Sequence, residues 1–191
     1  YSSGSWTKMG STINGEAGGD NFGRAVSING AGTRIAVGAP NNDGNGTHAG
    51  HVRVYEWNGS SWSQLGIDID GEASNDHCGW SVEMNEAGDR VVIGEKENAG
   101  GGTRRGQVRV FDWDGSAWNQ VGNDLHGVGT DDRFGYNVSI SATGSKIIVG
   151  AYWDDDGGTN SGTAKIYELV GSTWTQIGNT IVGGGSYYEA G

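Results

Sequence analysis

Three consecutive carboxylates, Asp154, Asp155 and Asp156, form the densest group of hard oxygen donors in the chain. With loop carbonyls beside them they could hold calcium, an ion that takes about 6–8 oxygen ligands. Contiguous aspartates lack the alternate spacing of a calcium loop, so a solvated acidic turn is the competing reading. Trp153 precedes them, alone in its loop, with an indole face that a sugar or an apolar side chain could cover. Two more groups complete the candidates for ligand binding. Asn42, Asp43 and His48 supply amide, carboxylate and imidazole, while Arg104 and Arg105, near Lys96, supply guanidinium forks suited to carboxylates.

Catalytic patterns are poorer. His48, His51, His77 and His126 recur at no common position, and no GxSxG, HExxH or phosphate-binding loop is present. The single cysteine, Cys78, has no disulfide partner and reads as a small buried hydrophobe. A glycan-active enzyme would need carboxylates paired across a cleft. The sequence therefore reads as non-catalytic.

Charge excludes other classes. Lys and Arg total 12 against 23 Asp and Glu, a formal charge of -11, which repels a polyanion such as nucleic acid. No run of roughly eighteen apolar residues offers a membrane-spanning helix. The chain opens at Tyr1 with neither methionine nor an apolar leader, as expected of a processed protein or a portion of a longer one. Acidic, Gly/Asn/Ser/Trp-rich β repeats are a habit of secreted and cell-surface modules, so an extracellular or cell-surface location is expected.

The elements that position these groups follow from an internal repeat. Trp6, Trp62, Trp118 and Trp174 are spaced by 56 residues, and the same offset carries Asp20 to Asp76 and Asp132, and Gly38 to Gly94 and Gly150. Within the second period, β-type runs at 79–84, 90–94, 107–113 and 118–125 alternate with turn residues, and helical periodicity is absent. The 38 glycines and one proline suit frequent tight turns. The expected fold is all-β: β-propeller blades, each a four-stranded antiparallel sheet, repeating every 56 residues. This division gives an extra outer strand at 1–13, blades at 14–69, 70–125 and 126–181, and the start of a further unit or a tail at 182–191.

Phe22-Gly23, then Gly38-Ala39-Pro40, then Gly50-His51-Val52-Arg53-Val54-Tyr55 resemble the FG-GAP repeat of the integrin α-subunit propeller and its bacterial and algal relatives. The second repeat departs with Cys78-Gly79 and Gly94-Glu95-Lys96, and the third has Phe134-Gly135 and Gly150-Ala151-Tyr152. The resemblance implies a propeller used in binding or adhesion. Many relatives carry a calcium hairpin between the first two strands. Here the turns at 29–32, 85–88 and 141–144 are too short and too poor in carboxylates for it, so any metal is expected at Asp43 or at Asp154, Asp155 and Asp156.

Repeated positions read as framework. The tryptophans at 62, 118 and 174 are expected to pack between blades, the cationic and acidic rows to pair across strands, and Asp20, Asp76 and Asp132 to fix loops. In an up-and-down sheet the long loops at 14–21, 39–50, 95–106, 124–133 and 151–162 share one rim, and their chemistry differs from blade to blade. The expected function is a non-catalytic extracellular binding or adhesion module that meets a protein or glycan there. The alternatives are a self-assembling structural repeat and, after it, a lectin-like or glycan-active protein. Because rings close with about 4–8 blades, a longer array on the order of six or seven blades is expected, with self-association next.

Overall fold

The computed structural model describes residues 4–100 and 102–185. Among them there is no helix; fourteen strands form three antiparallel sheets. The first holds β1 (Ala25–Ile28), β2 (Arg34–Ala39), β3 (His51–Trp57), β4 (Trp62–Gln64) and β5 (Ile69–Asp70). The second holds β6 (Cys78–Met84), β7 (Arg90–Glu95), β8 (Gln107–Trp113), β9 (Trp118–Gln120) and β10 (Leu125–His126). The third holds β11 (Phe134–Ile140), β12 (Lys146–Ala151), β13 (Thr163–Val170) and β14 (Thr173–Val182). Each sheet runs in sequence order from its first strand outward, so each is one blade.

The fourth strand differs from its expected course. Instead of one run at 118–125, β9 and β10 pair separately with β8, as β4 and β5 pair with β3. Gly66 and Gly122 lie between the halves with φ of 81° and 79°, a left-handed backbone that interrupts the ladder. In the third blade Gly178 has φ of 70°, yet β14 continues past it, and the register against β13 shifts between Ala164 and Ile166. The feature is a bulge common to all three blades.

The segment expected as an extra strand at 1–13 forms none among its described residues. A strand exists only through its ladder. What holds this segment is Trp62, whose indole N–H donates to the Met9 carbonyl at 3.3 Å. Trp118 makes the same bond to Leu65, and Trp174 to Val121, each at 2.9 Å. Residues around Met9 thus stand where the last strand of a preceding blade would. The expected start of a further unit lies largely outside the described residues, Tyr188 and Ala190 included.

Alternation along the strands sends side chains to both faces of each sheet, so the cores lie between blades. One core joins Ala36, Val52 and Val54 to Val82, Met84, Val91, Ile93 and Phe111. The other joins Val92, Val108 and Val110 to Phe134, Ile147, Val149, Tyr167 and Trp174. Cys78 is buried in the first core, where its sulfur sits 3.6 Å from the Ile69 carbonyl. Glycine allows the blades to touch: a Cβ on Gly94 would lie 2.0 Å from the Gly135 carbonyl oxygen, and one on Gly38 would lie 2.1 Å from that of Gly79.

Candidate functional site

Antiparallel order places the β2–β3, β7–β8 and β12–β13 loops on one rim with the blade-linking segments. The same internal hydrogen bonding, repeated from blade to blade, ties each loop down. The Asp20 carboxylate accepts from Ala17 N and the Asn42 amide, Asp76 from Ala73 N, and Asp132 from Val128 N. These aspartates are buried and fix the linkers, as their Asx-type chemistry suggests.

Several candidate residues belong to the same fastening. Asn42 is buried; its amide donates to Glu16 and Asp20 while its oxygen accepts from Gly44 N. Asp43 accepts from the His48 backbone at 2.8 Å, and Asp155 accepts from Asn160 N at 2.7 Å in the third blade. Asp154 is buried, takes Asp156 N at 2.9 Å, and lies 3.9 Å from Lys165 Nζ. The carboxylates of Asp154, Asp155 and Asp156 do not converge: among the described residues the three-donor group is Glu16, His51 and Asp68. There Arg53 donates to both carboxylates, so a guanidinium already supplies the positive charge.

Arg104 pairs with Asp131 at 2.6 Å and lines a cleft of about 580 Å³ with Ser74, Asn75 and Glu97. Arg105 packs on Gly102, and its buried Nε has no hydrogen-bond partner among the described residues. His48, Arg104 and Asn160, and likewise Asn21, His77 and Arg133, have positive φ, from 44° to 57°, at equivalent places in the three blades, so this backbone conformation belongs to the repeated framework.

The structure assembles a feature that no single loop contains. His48 stacks on His77 at 5.7 Å, His77 meets the Trp80 ring edge-on at 6.4 Å, and Trp80 lies 5.7 Å from Tyr136. Tyr136 stacks on Tyr152 at 4.7 Å, and Tyr152 lies 6.0 Å from Trp153. Six rings from three blades therefore form one continuous row. Cations flank it: Arg24 at 4.2 Å and Lys96 at 3.8 Å from the Trp80 ring centre, and Arg133 at 3.8 Å from that of Trp153.

Glu97 ties the cations together, bonding Lys96 Nζ at 2.7 Å and lying 3.6 Å from His77 Nε2 and 4.0 Å from Arg133 Nη2. Burial works to raise its pKa, but the Lys96 hydrogen bond and the surrounding positive charge outweigh it and hold the carboxyl below its ordinary range. Burial lowers the His77 imidazole below its usual value; Glu97 opposes that and Lys96 reinforces it. Trp80 Nε1 and Arg133 Nε are buried donors without an acceptor among the described residues.

Of this row the candidate residues include only His48 and Trp153. Trp80, Tyr136 and Tyr152 were there to be found by a simple signal. They occupy repeat positions held by Arg24 or by Pro40 and Lys96 in other blades, so interior packing does not require an aromatic there.

A sequence-family profile described as FG-GAP repeat matches residues 12–55 and 127–167. Two of the three blades carry the FG-GAP repeat. The matched stretches hold Phe22-Gly23 and Phe134-Gly135; the blade between them, which the profile does not match and which has Cys78 and Glu95 in place of phenylalanine and alanine, keeps the same sheet order. No curated protein sequence matches the chain. Among solved structures, one described as a candidate 6-phosphogluconolactonase from Bacteroides uniformis aligns at a TM-score of 0.55 and 9% identity, over 82% of this chain and 40% of that one. Hydrazine synthase of Kuenenia stuttgartiensis aligns at 0.51 and 11% identity, over 83% and 36%. The β-propeller domain of the Trilobed protease from Pyrococcus furiosus aligns at 0.46 and 14% identity, over 80% and 42%. The chain thus spans less than half the length of each. At such identities the likeness of the first two is one of fold. No helix among the described residues is long and apolar enough to cross a membrane.

Proposed function

We propose that this FG-GAP propeller segment is a non-catalytic binding module, presented outside the cell or at its surface, whose long-loop rim takes a glycan. The observation that supports this reading is the aromatic row from His48 to Trp153. Five of its rings are half-buried, His48 is exposed, and all come from positions that the repeat does not need for packing. Aromatic faces and edges suit the C–H surfaces of sugars. Glu97, held ionised by Lys96, is a poor proton donor, which favours binding over hydrolysis.

Tryptophan fluorescence titrated with a panel of soluble polysaccharides tests the reading. A saturable change that disappears in Trp153→Ala and Trp80→Ala is the expected result. Binding that persists in both variants moves the site elsewhere, and hydrolysis of any polysaccharide refutes a non-catalytic role.

One observation favours an assembly role alongside. Val26 and Ile28 are 67% and 60% exposed, whereas Val82 and Met84, at the same place in the next blade, are 8% and 5% exposed. The face of β1 is built to receive another blade, from the same chain or another. Light scattering that gives a well-behaved monomer with β1 bare would weigh against this second role.

A further inference from the structure

The two ends of the array carry the two halves of one joint, an inference that rests on the assembly role proposed above. That joint is made twice inside the chain. At the first junction Ala36 and Val54 of the earlier blade share a core with Val82 and Met84 of the later one; at the second, Val138 and Ile140 pack against the core that holds Val92 and Val110. Polar bonds recur with the same offset. Arg34 Nη1 donates to the Gly88 carbonyl at 3.1 Å, and Arg90 Nη1 to that of Gly144 at 2.8 Å. Gly30 N donates to the Glu86 carbonyl at 3.0 Å, and Glu86 N to that of Ala142 at 3.1 Å.

The third blade repeats the earlier half of this joint with nothing seated on it. Ile148, Ala164 and Ile166 stand 56 residues after Val92, Val108 and Val110. Ile148 is 38% exposed where Val92 is fully buried. Grooves of about 150 Å³ and 300 Å³ open on this face, the first lined by Ile148, Gly150 and Ala164, the second by Ile148 and Ile166.

The first blade repeats the later half, with Val26 and Ile28 exposed. Its backbone agrees. A Cβ on Gly79 would lie 2.6 Å from the His51 carbonyl oxygen of the preceding blade, and one on Gly135 would lie 2.5 Å from that of Gln107, whereas one on Gly23, their equivalent, meets nothing within 4 Å among the described residues.

We infer that a second copy of this chain covers both ends: the first blade of each copy docks on the third blade of the other, closing a ring of six blades. One chain supplies both halves in equal number, so two copies leave neither face bare. The contact joins unlike faces, head to tail, and six blades fall within the range of about 4–8 in which propellers close. The repeat also assigns the polar bonds of the new junction. Lys146 stands where Arg34 and Arg90 do and reaches for the copy's Gly32 carbonyl; Ala142 N stands where Gly30 N and Glu86 N do and faces the copy's Gly30 carbonyl. One existing contact has to give way. Met9, which accepts from Trp62, holds the place of Leu65 and Val121, and the copy's Ile177 is their equivalent in a blade already complete with β14. Docking displaces Met9, so the association is weaker than the internal junctions and depends on concentration.

Sedimentation velocity of the full chain across micromolar concentrations tests the ring, with one variant on each face, Ile28→Asp and Ile148→Asp. The parent is expected to approach twice the chain mass as concentration rises, and each variant alone to remain monomeric. An equimolar mixture of the two variants should recover a dimer, because one of its junctions joins two intact faces. Both side chains are exposed in the single chain, and an unchanged far-ultraviolet circular dichroism spectrum for each variant separates lost docking from lost folding. A dimer that survives in either variant alone joins like faces, which overturns the head-to-tail ring and leaves the assembly role standing. A mixture that recovers no association overturns the pairing of unlike faces. Species heavier than a dimer in the parent mark an open filament and overturn closure. A parent that stays monomeric throughout overturns the inference and the assembly role together.

Discussion

The indole N–H of Trp118 donates to the carbonyl of Leu65, a residue of the preceding blade, at 2.9 Å. Trp174 repeats the bond to Val121, and Trp62 to Met9 at 3.3 Å. The tryptophan row is thus a set of rivets between blades. Trp118→Phe keeps an aromatic ring, though a smaller one, and loses the donor, with an expected cost of about 1–2 kcal/mol. Trp174→Ala also empties a core and should cost about 3–5 kcal/mol. Urea denaturation of the two variants checks both values and their order.

Glycine at the blade contact is a second point of no tolerance. In Gly94→Ala the new methyl would meet the Gly135 carbonyl oxygen at 2.0 Å, backbone against backbone, so a loss of about 3 kcal/mol or more is expected. Gly18→Ala, with open space around it, should change stability by less than about 0.5 kcal/mol. Thermal melts of the pair distinguish a steric effect from a general cost of replacing glycine.

A pH dependence follows from Glu95, which stands where the neighbouring blades have Ala39 and Ala151. It is fully buried, its carboxylate bonded by Arg109 Nε at 2.7 Å. Burial pushes its pKa up to about 7, against the pull of Arg109. A folded-state pKa above the unfolded value means that the native chain binds the proton more tightly. The Glu95 contribution is therefore full below the unfolded pKa near 4.5 and is lost as pH rises through about 7, a swing of roughly 3 kcal/mol. Glu95→Gln should remove that decline. Urea midpoints at pH 5 and pH 8 check it: the advantage of the variant must grow with pH.

The rim is expected to be separable from the fold. Arg24→Ala removes an exposed side chain, so its melting curve should match that of the parent within about 0.5 kcal/mol. A parallel loss of stability would mark Arg24 as a structural brace of Trp80 instead.

Much of this architecture could be read from local pattern. The run expected at 107–113 is β8, and those expected at 79–84 and 90–94 differ from β6 and β7 by one residue, because apolar alternation and turn residues such as Asn85 act within a few positions. The break in the fourth strand needed the backbone angle at Gly122, which composition does not reveal. The site was legible only in part. Trp153 stood out by its isolation, but Trp80 and Tyr136 read as strand residues until neighbouring blades bring them side by side. Asn42 reads as a free amide in a loop; Glu16 and Asp20, distant in sequence, engage it.

Val92 and Ile93 are neighbours in β7 and point into different cores. That strand is a party wall, and no blade encloses an interior of its own. Amide hydrogens of β7 should therefore exchange with solvent most slowly of all, through opening of the entire segment, whereas those of β1 and β14, each facing a core on one side, should be released by local fraying. Excising the middle blade would not yield a small stable domain, since its hydrophobic surface exists to be shared.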